Sequence, residues 1–358
     1  MFANRNFVKK AAKMSSLIKN LHIQNYKSVR ELSLECDRIN IFIGKPNAGK
    51  SNILEAISLL GAGYSEGRFM EGFIRYQTIM QLFTDYEFQK DILVRSEKIE
   101  ASLIAPKNGE EFVFVLRDPA RSTYKRPTRL GEMINAPQLD LIKMDFDLTG
   151  KLLSSSNAQA NVGKQVKKYE FKSIQKQNGK GLFLNPPHGD NFYFIVRSHK
   201  ELREEIQQFM KPNGLKLLLD EDKKQILLVQ ETEDSLRSFP LHLVPDTFQR
   251  YIFHLAAIMS NRDSVMLFEE PEAHSYAPYI YQLAQHILND EGENQYFITT
   301  HNPYFLLPIM QEGKDVAVFA TWFKDYQTYA RRLSEEEIRE ALDYGVDMFL
   351  NLDHFIPA

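Results

Sequence analysis

Gly44-Lys45-Pro46-Asn47-Ala48-Gly49-Lys50-Ser51 follows the apolar run Ile39 to Ile43 and precedes Asn52 to Leu60, where Ile53, Leu54, Ala56, Ile57 and Leu60 fall at helical spacing. Buried strand, glycine-bounded loop and helix come in that order. In that context G-x-x-x-x-G-K-[ST] reads as a phosphate-binding loop. Gly44 and Gly49 permit a backbone that turns successive N–H groups toward one anion, and the helix adds its positive end. Lys50 is placed to neutralise β and γ phosphates. Ser51 offers a small hydroxyl to Mg2+, a cation that takes its remaining oxygens from phosphate, water and carboxylates.

Two later segments complete the pattern. Ser264-Val265-Met266-Leu267-Phe268-Glu269-Glu270-Pro271-Glu272-Ala273-His274 is an apolar strand ending in adjacent carboxylates, after which proline turns the chain out of the sheet. Strand alternation sends Glu269 and Glu270 in different directions, so Glu269 is expected at Mg2+ and Glu270 at the attacking water. Tyr296-Phe297-Ile298-Thr299-Thr300-His301-Asn302-Pro303 is a second such strand, and His301 at its end is in place to bond a γ-phosphate or that water. A GTPase would need an Asn-Lys-x-Asp guanine reader, which the chain lacks, so ATP is the expected nucleotide.

Outward from these motifs, Leu21 to Tyr26 and Glu31 to Cys36 alternate as half-buried strands, and strand-like runs between Ile92 and Leu116 predict an antiparallel β-lobe. Lys200 to Phe209 and Phe248 to Met259 read as helices, and Leu215 to Leu219 with Gln225 to Val229 as a hairpin. Ser334 with Glu337 forms a Ser-x-x-Glu capping box that opens a terminal helix. Residues 151–180 hold seven lysines against one acid, Glu170. That stretch predicts an exposed basic insertion, with Lys164, Lys167, Lys168, Lys172 and Lys176 as candidate contacts to nucleic-acid phosphates.

Composition sets the outer limits. The 358 residues carry 44 Lys plus Arg against 47 Asp plus Glu, a formal net charge of −3 that selects no class of partner. The 43% of apolar residues exclude a disordered or fibrous chain. The lone cysteine, Cys36, has no intramolecular partner for a disulfide, and no apolar run approaches a membrane span, so a reducing cytoplasm is the expected location.

The segments GKPNAGKSN, VMLFEEPEAH and FITTHNPYFL, in that order, resemble the Walker A, Walker B and H-loop motifs of ABC-type ATPases, in the AAA-family branch related to RecF, SMC and OLD-type proteins. The resemblance spans roughly residues 16–355. It implies an α/β P-loop ATPase head with an antiparallel β-lobe and an inserted helical lobe, using ATP and Mg2+. Position by position it implies Lys50 and Ser51 at phosphate and metal, Glu269 as the Walker B acid, Glu270 as catalytic base and His301 as γ-phosphate sensor. The opening LHIQNYKSVRELSL is similar to the family's first strands and places Asn25 and Lys27 near the nucleotide. With Gly44 to Asn52 these make the expected nucleotide contacts.

The chain departs from the family at two places. No Leu-Ser-Gly-Gly-Gln signature is present; Leu243 to Arg250 occupies its position, with Asp246 or Thr247 expected to cap a helix beginning near Phe248 and Arg250 to add charge toward a partner's γ-phosphate. The usual glutamine loop has two candidates, Gln77 and Gln81. The resemblance to phage-defence ATPases implies a homodimer or higher oligomer that gates a separately encoded effector or nucleic acid. The alternative is a scaffold that binds ATP and oligomerises with negligible turnover. Expected boundaries are a leader over 1–15, a first half of the head with Walker A and β-lobe over 16–145, a basic and helical insertion over 146–240, the second half of the head over 241–323, and a helical segment over 324–358.

Overall fold

A computed structural model describes residues 18–105, 111–119, 140–157, 163–173, 179–344 and 347–357. The expected leader, residues 1–15, lies outside them. Two sheets enclose one helix. Strands β1 (Asn20–Tyr26), β2 (Val29–Glu35), β4 (Ile92–Arg95), β5 (Glu100–Ile104), β6 (Glu111–Arg117), β7 (Asp140–Asp147) and β8 (Leu152–Asn157) form an antiparallel sheet in the order β2-β1-β4-β5-β6-β7-β8. This is the β-lobe that the alternating runs predicted.

The second sheet has the order β16-β15-β3-β14-β13-β9, from β3 (Ile39–Gly44), β9 (Val166–Tyr169), β13 (Val265–Glu269), β14 (Gln295–Thr299), β15 (Val316–Lys324) and β16 (Gln327–Arg332). All its pairings are parallel except β15 with β16. Parallel sheets are covered on both faces, which is why these strands read as continuous apolar runs. Phe42, Leu267, Phe297 and Phe319 face the antiparallel sheet and α1 (Lys50–Ser58), whereas Ile41, Ile43, Met266, Phe268 and Ile298 face the helices on the other side.

Those helices are α2 (Phe192–Ser198), α3 (Lys200–Met210), α4 (Asp246–Ser260), α5 (Ala277–Leu288) and α6 (Pro303–Glu312), with α7 (Glu335–Asp343) near the end. The predicted capping box is formed, Ser334 accepting from the Glu337 N–H and Glu337 from the Ser334 N–H. The predicted hairpin is β10 (Leu215–Asp220) and β11 (Gln225–Thr232), to which β12 (Ser235–Pro240) adds a third strand.

The basic stretch is corrected here. Residues 166–169 form β9, a buried strand beside β13, and Lys167 and Lys168 are themselves buried. Lys167 donates to Asn261 Oδ1 at 2.6 Å and Ser264 Oγ at 3.1 Å, and Lys168 to the Phe73 carbonyl at 3.0 Å. Each ammonium has internal partners, so neither is presented to nucleic acid. Lys164 and Lys172 are exposed, and Lys176 lies outside the described residues. The boundary expected at 145/146 falls inside β7, and β9 lies within the span expected to be an insertion. Among the described residues no helix is long and apolar enough to cross a membrane.

Candidate active site

Strands β3, β13, β14 and β9 run parallel, so Gly44, Glu269, Thr299 and Tyr169 end at one edge of the sheet, where open α/β sheets bind ligands. The loop leaving β3 is held by close approach. A Cβ on Gly44 would overlap the Thr321 carbonyl of β15, and one on Gly49, whose φ is +92°, would overlap the Thr328 hydroxyl of β16. Asn47 also takes a left-handed φ of 62°. Lys50 Nζ donates to the carbonyls of Gly44 and Lys45 at 3.0 Å each, which curls the loop around the ammonium. Burial pushes the Lys50 ammonium down to about 8, against the pull of Glu270 and Glu269. Lys45 reaches across to Asp353 at 2.6 Å, and the Asn52 amide donates to Ser28 Oγ at 2.7 Å.

Glu269 ends β13 beside the Ser51 hydroxyl, its carboxylate flanked by Lys168 and Arg75, each at 3.4 Å. Burial pushes this carboxyl up, but Lys168, Ser51 and Arg75 outweigh it and hold it below its ordinary value. Mg2+ fits these donors: a hydroxyl and an ionised carboxylate meet at the mouth of the phosphate loop. Among the described residues no group of three or more His, Cys, Asp or Glu could hold a metal, so phosphate and water oxygens would complete the coordination.

Glu270 does diverge from Glu269, by a means other than strand alternation. The strand ends at Glu269, and Glu270 turns on a left-handed backbone, φ 45°, its N–H donating to the Thr299 carbonyl at 3.0 Å. That turn brings its carboxylate to 3.5 Å from His301 Nε2. Burial, aided by Lys50, holds the His301 imidazole below its ordinary value despite Glu270. His301 is therefore neutral at pH 7 and has both a donor and an acceptor nitrogen.

Glu272 supports this corner, and the sequence reading missed it. Its Oε1 accepts from Thr300 Oγ1 and from the His301 N–H at 3.2 Å, while its buried Oε2 has no hydrogen-bond partner among the described residues. Burial pushes the carboxyl up to about 7. Arg75 and the fully buried Glu55 of α1 were missed as well, and Lys168 was read as a nucleic-acid contact. Glu55 takes Tyr26 Oη at 3.2 Å, Arg75 Nε at 2.7 Å and the Lys27 ammonium.

The other expected site residues are held by protein partners. Asn25 is buried, its amide donating to the carbonyls of Lys90 at 2.7 Å and Glu87 at 3.2 Å, so it is a strut for that loop. Lys27 is committed to Glu55 and to the Arg75 carbonyl at 2.7 Å. Gln81 accepts from the Gln77 and Thr78 N–H groups as part of a capping box. Helix α4 begins at Asp246 itself, Pro245 being its N-cap with no side-chain bond. Asp246 instead accepts from Arg250 Nε at 2.5 Å, Arg250 stacks over Phe171, and Thr247 Oγ1 donates to the His274 carbonyl at 2.6 Å. The start of α4 is thus tied to the turn that follows Glu270.

Comparison with known proteins agrees with this geometry. The family described as "AAA domain, putative AbiEii toxin, Type IV TA system" matches residues 39–307. The DNA replication and repair protein RecF of Thermoanaerobacter sp. (strain X514) is 31% identical over 131 residues, which are 35% of this chain and 34% of that protein. An uncharacterized protein, MJECL10, of Methanocaldococcus jannaschii is 52% identical over 44 residues, 12% of this chain and 20% of that protein. The chain spans about a third or less of the length of these curated relatives. The crystal structure of an SmcHead bound to the C-winged helix domain of ScpA superposes with a TM-score of 0.50 at 14% identity, over 90% of this chain and 99% of that one. That likeness shows the fold, an ABC-type ATPase head.

Proposed function

The chain belongs to the AAA-domain family described as putative AbiEii toxin, an ABC-type P-loop ATPase by fold, and on that footing we propose that it binds and hydrolyses ATP as a nucleotide-driven dimerisation switch. The observation that carries the reading is the convergence of Lys50, Ser51, Glu269, Glu270 and His301, from three separate segments, at one end of the parallel sheet.

The loop amides and Lys50 receive the phosphates, Lys50 exchanging the carbonyls of Gly44 and Lys45 for phosphate oxygens. Ser51 and Glu269 are the side chains that would hold Mg2+, whose charge would neutralise phosphate oxygens. Glu270 accepts the proton of the attacking water, and neutral His301 beside it orients that water or the γ-phosphate. Electrostatic placement does the remaining work.

The start of α4 is the candidate surface for completing a second protomer's site. Its tie to the His274 carbonyl, four residues beyond Glu270, supports that reading because it couples the helix to the catalytic turn. A switch of this kind would gate a separately encoded effector or nucleic acid, in phage defence or DNA maintenance. The cytoplasm is the location this implies. The scaffold reading is favoured by one observation: Arg250 is held by Asp246 and Phe171 rather than presented freely.

Oligomeric mass measured with and without Mg·ATP, on wild type and Glu270→Gln, tests the switch. A Glu270→Gln protein that gathers into a nucleotide-bound dimer while wild type cycles back to monomer is the expected result. Equal dimerisation of both, without turnover, would replace the switch by the scaffold.

A further inference from the structure

Five charged side chains from five segments alternate in sign behind the phosphate loop. Lys27 pairs with Glu55, Glu55 with Arg75 at 2.7 Å, Arg75 with Glu269 Oε1 at 3.4 Å, and Glu269 Oε2 with Lys168 at 3.4 Å. The two oxygens of Glu269 therefore face unlike cations. Lys168 is 2% exposed, on the buried strand β9, with its ammonium anchored on the Phe73 carbonyl. Arg75 is 66% exposed, on a loop, with a second anchor in Glu55.

We propose that Arg75 is a placeholder for the divalent cation: it occupies Glu269 Oε1 in the metal-free protein and leaves when metal arrives, while Lys168 keeps Oε2. The inference rests on the assignment of Ser51 and Glu269 to the metal. Two cations on one carboxylate oxygen repel each other, and the two protein cations differ in freedom to move. Lys168 is locked by burial, whereas Arg75 can swing away and remain paired with Glu55. Because Arg75 lies two residues from the carbonyl that anchors Lys168, its release reports the state of the site to the loop around residues 73–75.

The test is a Mg2+ titration of the binding of a fluorescent, non-hydrolysable ATP analogue to wild type, Arg75→Gln and Arg75→Lys, with a second series in chelator. An exposed pair of this kind resists displacement only modestly, so Arg75→Gln lowers the Mg2+ midpoint about two- to fivefold. Arg75→Lys, which keeps the charge, stays near wild type, and the three proteins bind the analogue alike in chelator. A midpoint unchanged in Arg75→Gln overturns the placeholder, and a raised midpoint overturns it in favour of Arg75 as a nucleotide ligand. Wild type that fails to bind the analogue with Mg2+ present overturns the nucleotide-site reading together with this inference.

Discussion

Replacing Glu272 by Gln removes a buried charge whose destabilising effect the structure locates. The carboxyl is 4% exposed, one oxygen serves Thr300 and the His301 N–H, and the other has no partner among the described residues. Burial raises it from 4.5 to about 7 in the folded protein. Below pH 4.5 the carboxyl is neutral in both states and imposes nothing. Between 4.5 and 7 the folded state binds more protons than the unfolded chain, so stability falls as pH rises, and above 7 the full penalty is present. A displacement of this size corresponds to about 3 kcal/mol. Gln keeps an oxygen for both donors and is never charged, so Glu272→Gln is expected to stabilise the protein by up to about 3 kcal/mol at pH 8 and by nearly nothing at pH 4.5. Urea unfolding of both proteins across that range measures the difference. A gap between them that is the same at every pH would refute the reasoning, because it would show a packing effect with no ionisation behind it.

Three further outcomes follow from the same contacts. Lys50→Met abolishes nucleotide binding, and in wild type the affinity falls as pH rises through about 8, where the ammonium loses its proton; isothermal titration at pH 7 and 9 checks both. Gly49→Ala places a Cβ against Thr328 at a φ of +92°, so binding is lost while the sheets, followed by far-ultraviolet circular dichroism, remain. Lys168→Met strips a buried countercharge from Glu269 and lowers stability by about 3 kcal/mol, read by the same urea unfolding.

The phosphate loop, the acidic strand end and the strand before His301 were legible because each is local: an apolar run, then polar residues where the chain leaves a parallel sheet. The hairpin at Leu215 to Thr232 and the Ser334 cap were legible for the same reason. Lys168 was misread because a count of charges along 151–180 cannot see that its partner, Glu269, is a hundred residues away. Glu55 did carry a signal, an acid inside the apolar helical run Ile53 to Ile57, but its value depended on Arg75 and Lys27 arriving from other segments. Asn25 was expected near the nucleotide from the resemblance of the opening segment to the family's first strands; in the structure its amide donates to two loop carbonyls.

Steady-state hydrolysis of Mg·ATP by wild type and Glu270→Gln tests the central claim, that Glu270 takes the proton of the attacking water. Turnover in wild type that falls by about a hundredfold or more in Glu270→Gln, with nucleotide binding intact, is the predicted result. Equal turnover in the two proteins would contradict it.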